Sequence, residues 1–218
     1  MLAIVRIEIF SDIVCPWCFV GQSRLAAALA RRPEIPVEVI WLPFELNPAM
    51  PPEGRPRAEY LLERFGDVNR FADAQRQLQQ IGEQEGIRFN FTGIQRMPNT
   101  RRAHVLLAYA RRINPEVQTR LTRVLFEAYF SEGLDIADPS CLVELATRVG
   151  LEGIAAAAVL DDPTLHAEVQ ALESLAARWN VSGVPTFIFD RRTGFSGAQP
   201  VEVFERAMDS VLVQARNS

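Results

Sequence analysis

Two cysteines three apart, separated by proline and tryptophan, constrain this chain more than any other feature. They lie in EIFSDIVCPWCFVGQSR, residues 8–24, as Cys15-Pro16-Trp17-Cys18. The run before them carries Ile4, Val5, Ile7, Ile9 and Phe10, which reads as a strand buried on both faces. Ser11 and Asp12 end it. Pro16 fits the first position of a helix, where its missing N–H costs nothing. That makes Cys15 the N-cap and Cys18 the third helical residue. Leu25, Ala28 and Leu29 carry the apolar stripe on toward Arg31. Pro33 and Pro36 bracket the exit, and Val37–Trp41 reads as a second strand. A strand–helix–strand unit of this length predicts two parallel strands with a right-handed crossover.

The next stretch, PFELNPAMPPEGRP, holds five prolines in residues 43–56 and predicts an irregular connection. A long helical region follows. Helices are predicted over Arg57–Phe65, closed by Gly66, and over Val68–Glu85, with Phe71, Leu78 and Ile81 on the apolar face and Gly86 at its end. Asn99 or Thr100 caps a third helix reaching Arg112. Pro115, Pro139 and Pro163 each open another, and Glu152–Leu160 adds one more. Only Ile87–Phe91 offers a strand-like run within this region. The β pattern returns at Val184–Asp190, turns at Arg191–Gly194 into a short run at Phe195 and Ser196, and a last helix spans Pro200–Arg216. Neither end has enough strands for its own sheet. The chain is therefore expected to be α/β, with residues 1–45 and 163–218 forming one domain and 46–162 a helical insertion.

Composition excludes several function classes. Of 218 residues, 48% are hydrophobic and 23% charged, the balance of a globular protein. The net charge of −4 and the scattered arginines give no basic patch for nucleic acid or an anionic membrane. No apolar run approaches the roughly 20 residues that span a bilayer. The start, MLAIVRIEIFSD, lacks the pattern of a signal peptide. Taken as complete, the chain is expected in the cytoplasm. Its three cysteines, Cys15, Cys18 and Cys141, are too few and too unevenly placed for a structural disulfide framework.

Three readings of the pair compete: a redox couple, a metal half-site and two inert thiols. Zinc takes four ligands, and only Cys141, His104 and His166 remain, without metal-ligand spacing. No metal is expected. At a helix N-cap the Cys15 sulfur faces free backbone N–H groups and the positive end of the helix dipole, which favours its thiolate. Cys15 is expected to be the exposed sulfur and Cys18 the buried one. Residues three apart on a helical turn can meet the Cα separation a disulfide requires. Attack by one thiol and resolution by the other is what thiol–disulfide exchange needs.

Gly183-Val184-Pro185-Thr186 is the second informative element. A proline at the start of a strand does not donate to the ladder. Cis X–Pro bonds are a small minority, so the residues alone favour a trans Val184–Pro185 bond; a cis bond would leave the Val184 backbone open to an extended partner beside Cys15.

CPWC after a first strand and GVPTF before a later one resemble the thioredoxin superfamily. With the large helical insertion, the chain resembles the DsbA-like branch. The segments SDIVCPWCFVG, PFELNP, NTRRAH, LFEAYFSEGLDI and SGAQP are similar to the FrnE subgroup, and they cover nearly the whole chain. The resemblance implies a protein disulfide oxidoreductase with Cys15 as nucleophile, Cys18 as resolving thiol and a cis Val184–Pro185 bond. It also implies that no bound cofactor is required, with glutathione as a redox partner and protein or small-molecule thiols and disulfides as substrates. Kappa-class glutathione transferases and 2-hydroxychromene-2-carboxylate isomerases share the superfamily. There a serine usually stands at the position of Cys15, so a glutathione-dependent isomerase or transferase is the alternative. A non-enzymatic client-binding module on the same fold is the third reading.

Further residues are candidates for partner binding. Pro16 and Trp17 flank the sulfur, and Val184 and Pro185 face it. His104 either faces the cysteine cleft or is a histidine at the edge of the core. Asn99 either caps a helix or contacts substrate. Glu45 and Asn47 follow strand two, at the strand ends where ligands collect in α/β sheets. Asp12 is a candidate to hydrogen-bond the turn or accept a proton from Cys18. Cys141 reads as a buried small hydrophobe, and Arg191-Arg192 as a solvated hairpin tip.

Overall fold

A computed structural model describes residues 4–66 and 68–216. Phe71, assigned above to a helix face, lies outside the residues whose side chains are described. In chain order the elements are β1 (Val5–Ser11), α1 (Pro16–Arg31), β2 (Val37–Pro43), β3 (Arg55–Pro56), α2 (Arg57–Phe65), α3 (Val68–Gln84) and β4 (Arg96–Met97). Then come α4 (Arg101–Ile113), α5 (Pro115–Glu127), a π turn at Ala128–Glu132, α6 (Pro139–Arg148), α7 (Gly153–Val159) and α8 (Pro163–Arg178). β5 (Thr186–Phe189), β6 (Thr193–Ser196) and α9 (Val201–Arg216) complete the chain.

The main sheet has the order β2-β1-β5-β6. β1 runs parallel to β2 and antiparallel to β5, and β6 returns antiparallel to β5. The pleat sends Ile7 and Ile9 of β1, with Phe187 and Phe189 of β5, into the core shared with α1 and α9. Phe10, Ile40 and Leu42 face the other way, against Leu172, Ala176 and Trp179. Each such side chain contributes roughly 1.5–3 kcal/mol on burial, against roughly 1–2 kcal/mol for fixing one residue's backbone. A strand buried on both faces is therefore self-supporting, and this one ends beside the cysteines.

Glu8 is the acidic residue within β1, and it is buried. Its carboxylate accepts two hydrogen bonds from Arg191, at 2.9 and 2.8 Å, and pairs with Arg6 at 3.1 Å. Arg191 also lies over the Trp179 ring. Arg191 is therefore not merely a solvated tip residue, because a buried carboxylate needs a cation.

Pro115, Pro139 and Pro163 open α5, α6 and α8 where the sequence placed them. Asn114, Asp138, Glu152 and Asp162 accept backbone N–H groups at the starts of α5, α6, α7 and α8. Ile87–Phe91 is not a strand. Ile87, Phe89 and Phe91 are buried, but they enter an aromatic cluster instead of pairing with a sheet. Phe19, immediately after Cys18, stacks on Phe126 at 5.3 Å and meets Phe89 edge-on at 5.9 Å. The helix that carries the cysteines is thereby joined to the helical region between β2 and α8. The π turn closes α5 with Tyr129 and Phe130 both buried in the same cluster.

Candidate active site

The backbone turn between β1 and α1 sets the cysteine geometry. The Cys15 N–H donates to the Asp12 carbonyl at 3.0 Å, and the Cys18 N–H donates to the Cys15 carbonyl at 3.0 Å. Cys15 is the N-cap, in extended conformation, with Pro16 in the first turn. Its side chain does not cap the helix; the Sγ donates to the Val184 carbonyl at 3.5 Å. Cys15 is only 5% exposed, against the expectation of an exposed sulfur, since the Val184 end of the proline loop approaches it. Trp17 is the exposed member of the motif, at 41%.

Cys18 is fully buried. Burial pushes its thiol well above the ordinary value, and the adjacent Cys15 raises it further; Ser11 and the Asp12 backbone oppose the shift more weakly. In the reduced protein Cys18 is therefore held as the neutral thiol. Both cysteines are free thiols here, as is Cys141. Cys141 is half-buried on α6, less enclosed than expected, and its thiol is pushed up to about 11 by burial and then by Asp138 and Glu144. It is poorly placed for thiolate chemistry.

The Val184–Pro185 bond is cis. Thr186 anchors the loop behind it: its backbone pairs with Phe10 and Ser196, and its hydroxyl donates to the Gly183 carbonyl at 2.8 Å. The Pro185 carbonyl accepts from the Gly197 N–H at 2.8 Å. Gly21, in α1, allows the helix to approach this loop. A Cβ there would stand 2.9 Å from the Phe187 ring and 3.3 Å from Pro185 Cγ. Sequence reasoning did not single out Gly21, although a glycine inside a helix costs about 1 kcal/mol relative to alanine and so signals a close approach. Gly21→Val is expected to destabilise the protein by roughly 1–3 kcal/mol, the cost of overpacking a filled core. Urea denaturation monitored by tryptophan fluorescence checks this as a lower midpoint.

Behind the cysteines lies a polar cluster. Asp12 is completely buried, and its Oδ2 accepts the Leu46 N–H at 2.7 Å. Its Oδ1 faces His104 Nε2 at 3.4 Å, bringing together residues 92 apart. This separation is longer than a well-made hydrogen bond, and neither atom has another hydrogen-bond partner. Glu45 pairs with Arg101 at 2.7 Å, and Arg101 also holds Glu173 at 3.1 Å. Burial, reinforced by Glu173, pushes the Glu45 carboxyl above its ordinary value, while His104 and Arg101 oppose this. Asn47 accepts the Tyr60 hydroxyl at 2.6 Å. Asn99 donates to the Met50 carbonyl at 2.6 Å and accepts the Arg101 N–H at 2.9 Å, which is a capping role just before α4. Asp12, His104 and Glu45 thus gather beside β1, whereas Asn47 and Asn99 are held by neighbours in the helical region. Arg101, Tyr60 and Ser11 were not anticipated; they become visible only through contacts distant in sequence.

A strand–CxxC–helix unit faced by a cis-proline loop on this sheet defines the thioredoxin-like class of thiol proteins. Among the described residues no cluster of three or more His, Cys, Asp or Glu could hold a metal, and no helix is long and apolar enough to cross a membrane. The chain belongs to the DSBA-like thioredoxin domain family, whose model matches residues 6–209. It is 33% identical to the uncharacterised protein YwbO of Bacillus subtilis, over 94% of this chain and 96% of that one. Among solved structures it is similar to a probable DsbA oxidoreductase from Streptomyces coelicolor, at 35% identity and TM-score 0.84, covering 94% of this chain and 89% of that one. Two structures of lower identity share the fold. A 2-hydroxychromene-2-carboxylate isomerase aligns at 18% identity and TM-score 0.73, over 97% of this chain and 98% of that one. The cytosolic disulfide reductase DsbM from Pseudomonas aeruginosa, with GSH, aligns at 20% and 0.66, over 97% and 99%.

Proposed function

We propose that this protein is a thiol–disulfide oxidoreductase of the FrnE-like kind, working through a mixed disulfide at Cys15. The observation that carries the proposal is the placement of the Cys15 sulfur at a helix N-cap, 3.5 Å from the Val184 carbonyl, with Cys18 buried one turn behind it. The Cys15 thiolate attacks a partner disulfide, forming one S–S bond and expelling one partner thiolate. Cys18, once deprotonated, attacks the Cys15 sulfur and expels the second. The partner gains two electrons, and the chain is left with a Cys15–Cys18 disulfide. Two thiols of a reductant such as glutathione restore it, and the same steps run backwards for oxidation. The two sulfurs carry the whole electron transfer, so the chemistry requires no bound cofactor.

Val184, Pro185, Pro16 and Trp17 contact the partner, with the extended loop offering backbone groups to a partner strand. Glu45, Asn47 and Asn99 are already engaged by protein groups, and His104 is buried against Asp12, so the proposal gives the four the task of fixing the cleft wall. Residues 1–45 and 163–218 carry the redox chemistry, and 46–162 shape the partner's seat. A cytoplasmic setting suits three sparse cysteines, because there the Cys15–Cys18 disulfide is short-lived and functional.

The direct test is the equilibrium of the pair against glutathione. A Cys15–Cys18 disulfide should form reversibly as oxidised glutathione rises. A potential near about −270 mV marks a reductase and one near about −120 mV an oxidase. If no intramolecular disulfide forms at any ratio, the proposal fails. The glutathione-dependent isomerase reading would instead gain from turnover that survives Cys18→Ala together with stoichiometric glutathione binding.

A further inference from the structure

A cavity of about 290 Å³ lies between α1, the edge strand β2, α5 and the residues that follow α3. No cysteine lines it. Its size falls at the lower end of small-molecule sites, enough for one substituted ring. Phe19, Leu25, Trp41 and Ile87 give it buried apolar walls. One lining group does not belong in such a wall. Gln22 is only 7% exposed, and among the described residues its carboxamide has no hydrogen-bond partner. Buried side-chain amides are normally satisfied, because losing water without gaining a bond is costly. The polar groups around it are otherwise engaged. Ser23 donates to the Glu85 carbonyl at 2.9 Å, and the Glu85 carboxylate holds Arg24 at 2.6 Å. Glu127 holds Arg123 at 2.8 Å, and the Thr119 hydroxyl accepts from Trp41 Nε1 at 3.2 Å. Arg120 is exposed, so water solvates it. Gln22 is therefore the buried group left to bond an occupant.

A carboxamide offers an N–H donor beside a carbonyl acceptor, so the partner that satisfies both presents an acceptor beside a donor. The same strand already shows this pairing. The buried Gln118 carboxamide accepts the Trp41 N–H at 3.0 Å and donates to the Trp41 carbonyl at 2.9 Å. An anion would use only the donor and leave the Gln22 carbonyl bare. The aromatic walls favour a flat body. We propose that this cavity binds small neutral molecules with a flat apolar body and a carboxamide or lactam edge. The edge pairs with Gln22, and the body lies against Trp41, Leu25 and Ile87. This is a second site, and it does not depend on the oxidoreductase reading.

The experiment titrates the full chain with three probes of similar size: benzamide, acetophenone, which only accepts, and benzoate, which is an anion. Proton–nitrogen NMR reads the backbone N–H signals of Leu25 and Val39 and the side-chain NH₂ pair of Gln22, identified by its loss in Gln22→Leu. Benzamide is expected to bind about tenfold more tightly than either other probe, the scale of one hydrogen bond to a carbonyl otherwise left bare. The Gln22 NH₂ signals should shift along the same saturation curve. Gln22→Leu keeps the wall and should remove the preference. Ala26 lies exposed on α1 and lines the cavity, so Ala26→Phe should fill it and abolish binding of benzamide. That variant and the wild-type selectivity decide the matter even if Gln22→Leu unfolds. No binding of benzamide, equal affinity for benzamide and acetophenone, or tighter binding of benzoate overturns the inference. So does a preference that survives Gln22→Leu, or benzamide binding undiminished by Ala26→Phe.

Discussion

With Cys15 replaced by serine, insulin reduction by this protein is expected to fall at least about 1,000-fold, to the rate of the reductant alone. A serine hydroxyl at the same N-cap forms no bond with sulfur that Cys18 could later resolve, so the covalent route closes entirely. Cys18 does not substitute for it. It is fully buried, and its thiol is held neutral by that burial and by Cys15. Cys18→Ser should behave differently. Its Cys15 still attacks, no second thiol follows, and the partner stays attached. Intact mass spectrometry of Cys18→Ser after mixing with a disulfide should show one covalent adduct per chain, absent from Cys15→Ser. Cys15→Ser retaining more than a tenth of wild-type activity would sink the assignment of the nucleophile.

How much of this could be read from the sequence depends on how local each signal is. Pro16 after a β-branched run, Pro115, Pro139 and Pro163 at helix starts, and the return of β-branched and aromatic residues at Thr186 act within a few residues, and the elements they mark are present. Ile87–Phe91 misled because alternating apolar residues look alike whether they pair with a strand or insert into a cluster. Here Phe89 stacks on Phe91 at 5.0 Å, and the segment spends one backbone bond on Phe130 instead of on a sheet. The two-residue strands β3 and β4 pair only across 39 intervening residues, so nothing local marks them. The same limit applied to the site. The motif located both sulfurs, but the facing of Asp12 and His104 arises from separate segments meeting in space, as does the cavity lined by Gln22. The low exposure of Cys15 belongs to this class too: the helix start is local, while the carbonyl facing the sulfur comes from 169 residues away.

The buried position of Cys18 has a consequence for rate that reaches about 100-fold between pH 7 and pH 9. Resolution requires the Cys18 thiolate, and burial raises this thiol well above its ordinary value of 9.0. Below a thiol's pKa the thiolate fraction falls tenfold for each pH unit, so release of the partner should slow by about tenfold per unit as pH drops. Part of the upward shift comes from Cys15 itself and disappears once that sulfur is bonded to the partner. Desolvation is the largest cause and persists in the mixed disulfide, so the steep dependence should survive where it matters. Stability runs the opposite way with pH. The reduced folded state favours the neutral thiol, its contribution is complete below the unfolded thiol's value, and it is lost as pH rises through the raised folded one. The measurement is single-turnover stopped flow: the adduct between Cys15 and 2-nitro-5-thiobenzoate is formed first, and release of the coloured thiolate is then followed from pH 6 to 9. A logarithmic rate rising with unit slope supports a buried, neutral resolving thiol. A flat profile would mean that Cys18 is already ionised in the mixed disulfide, with desolvation overcome by a donor that approaches only after Cys15 has reacted.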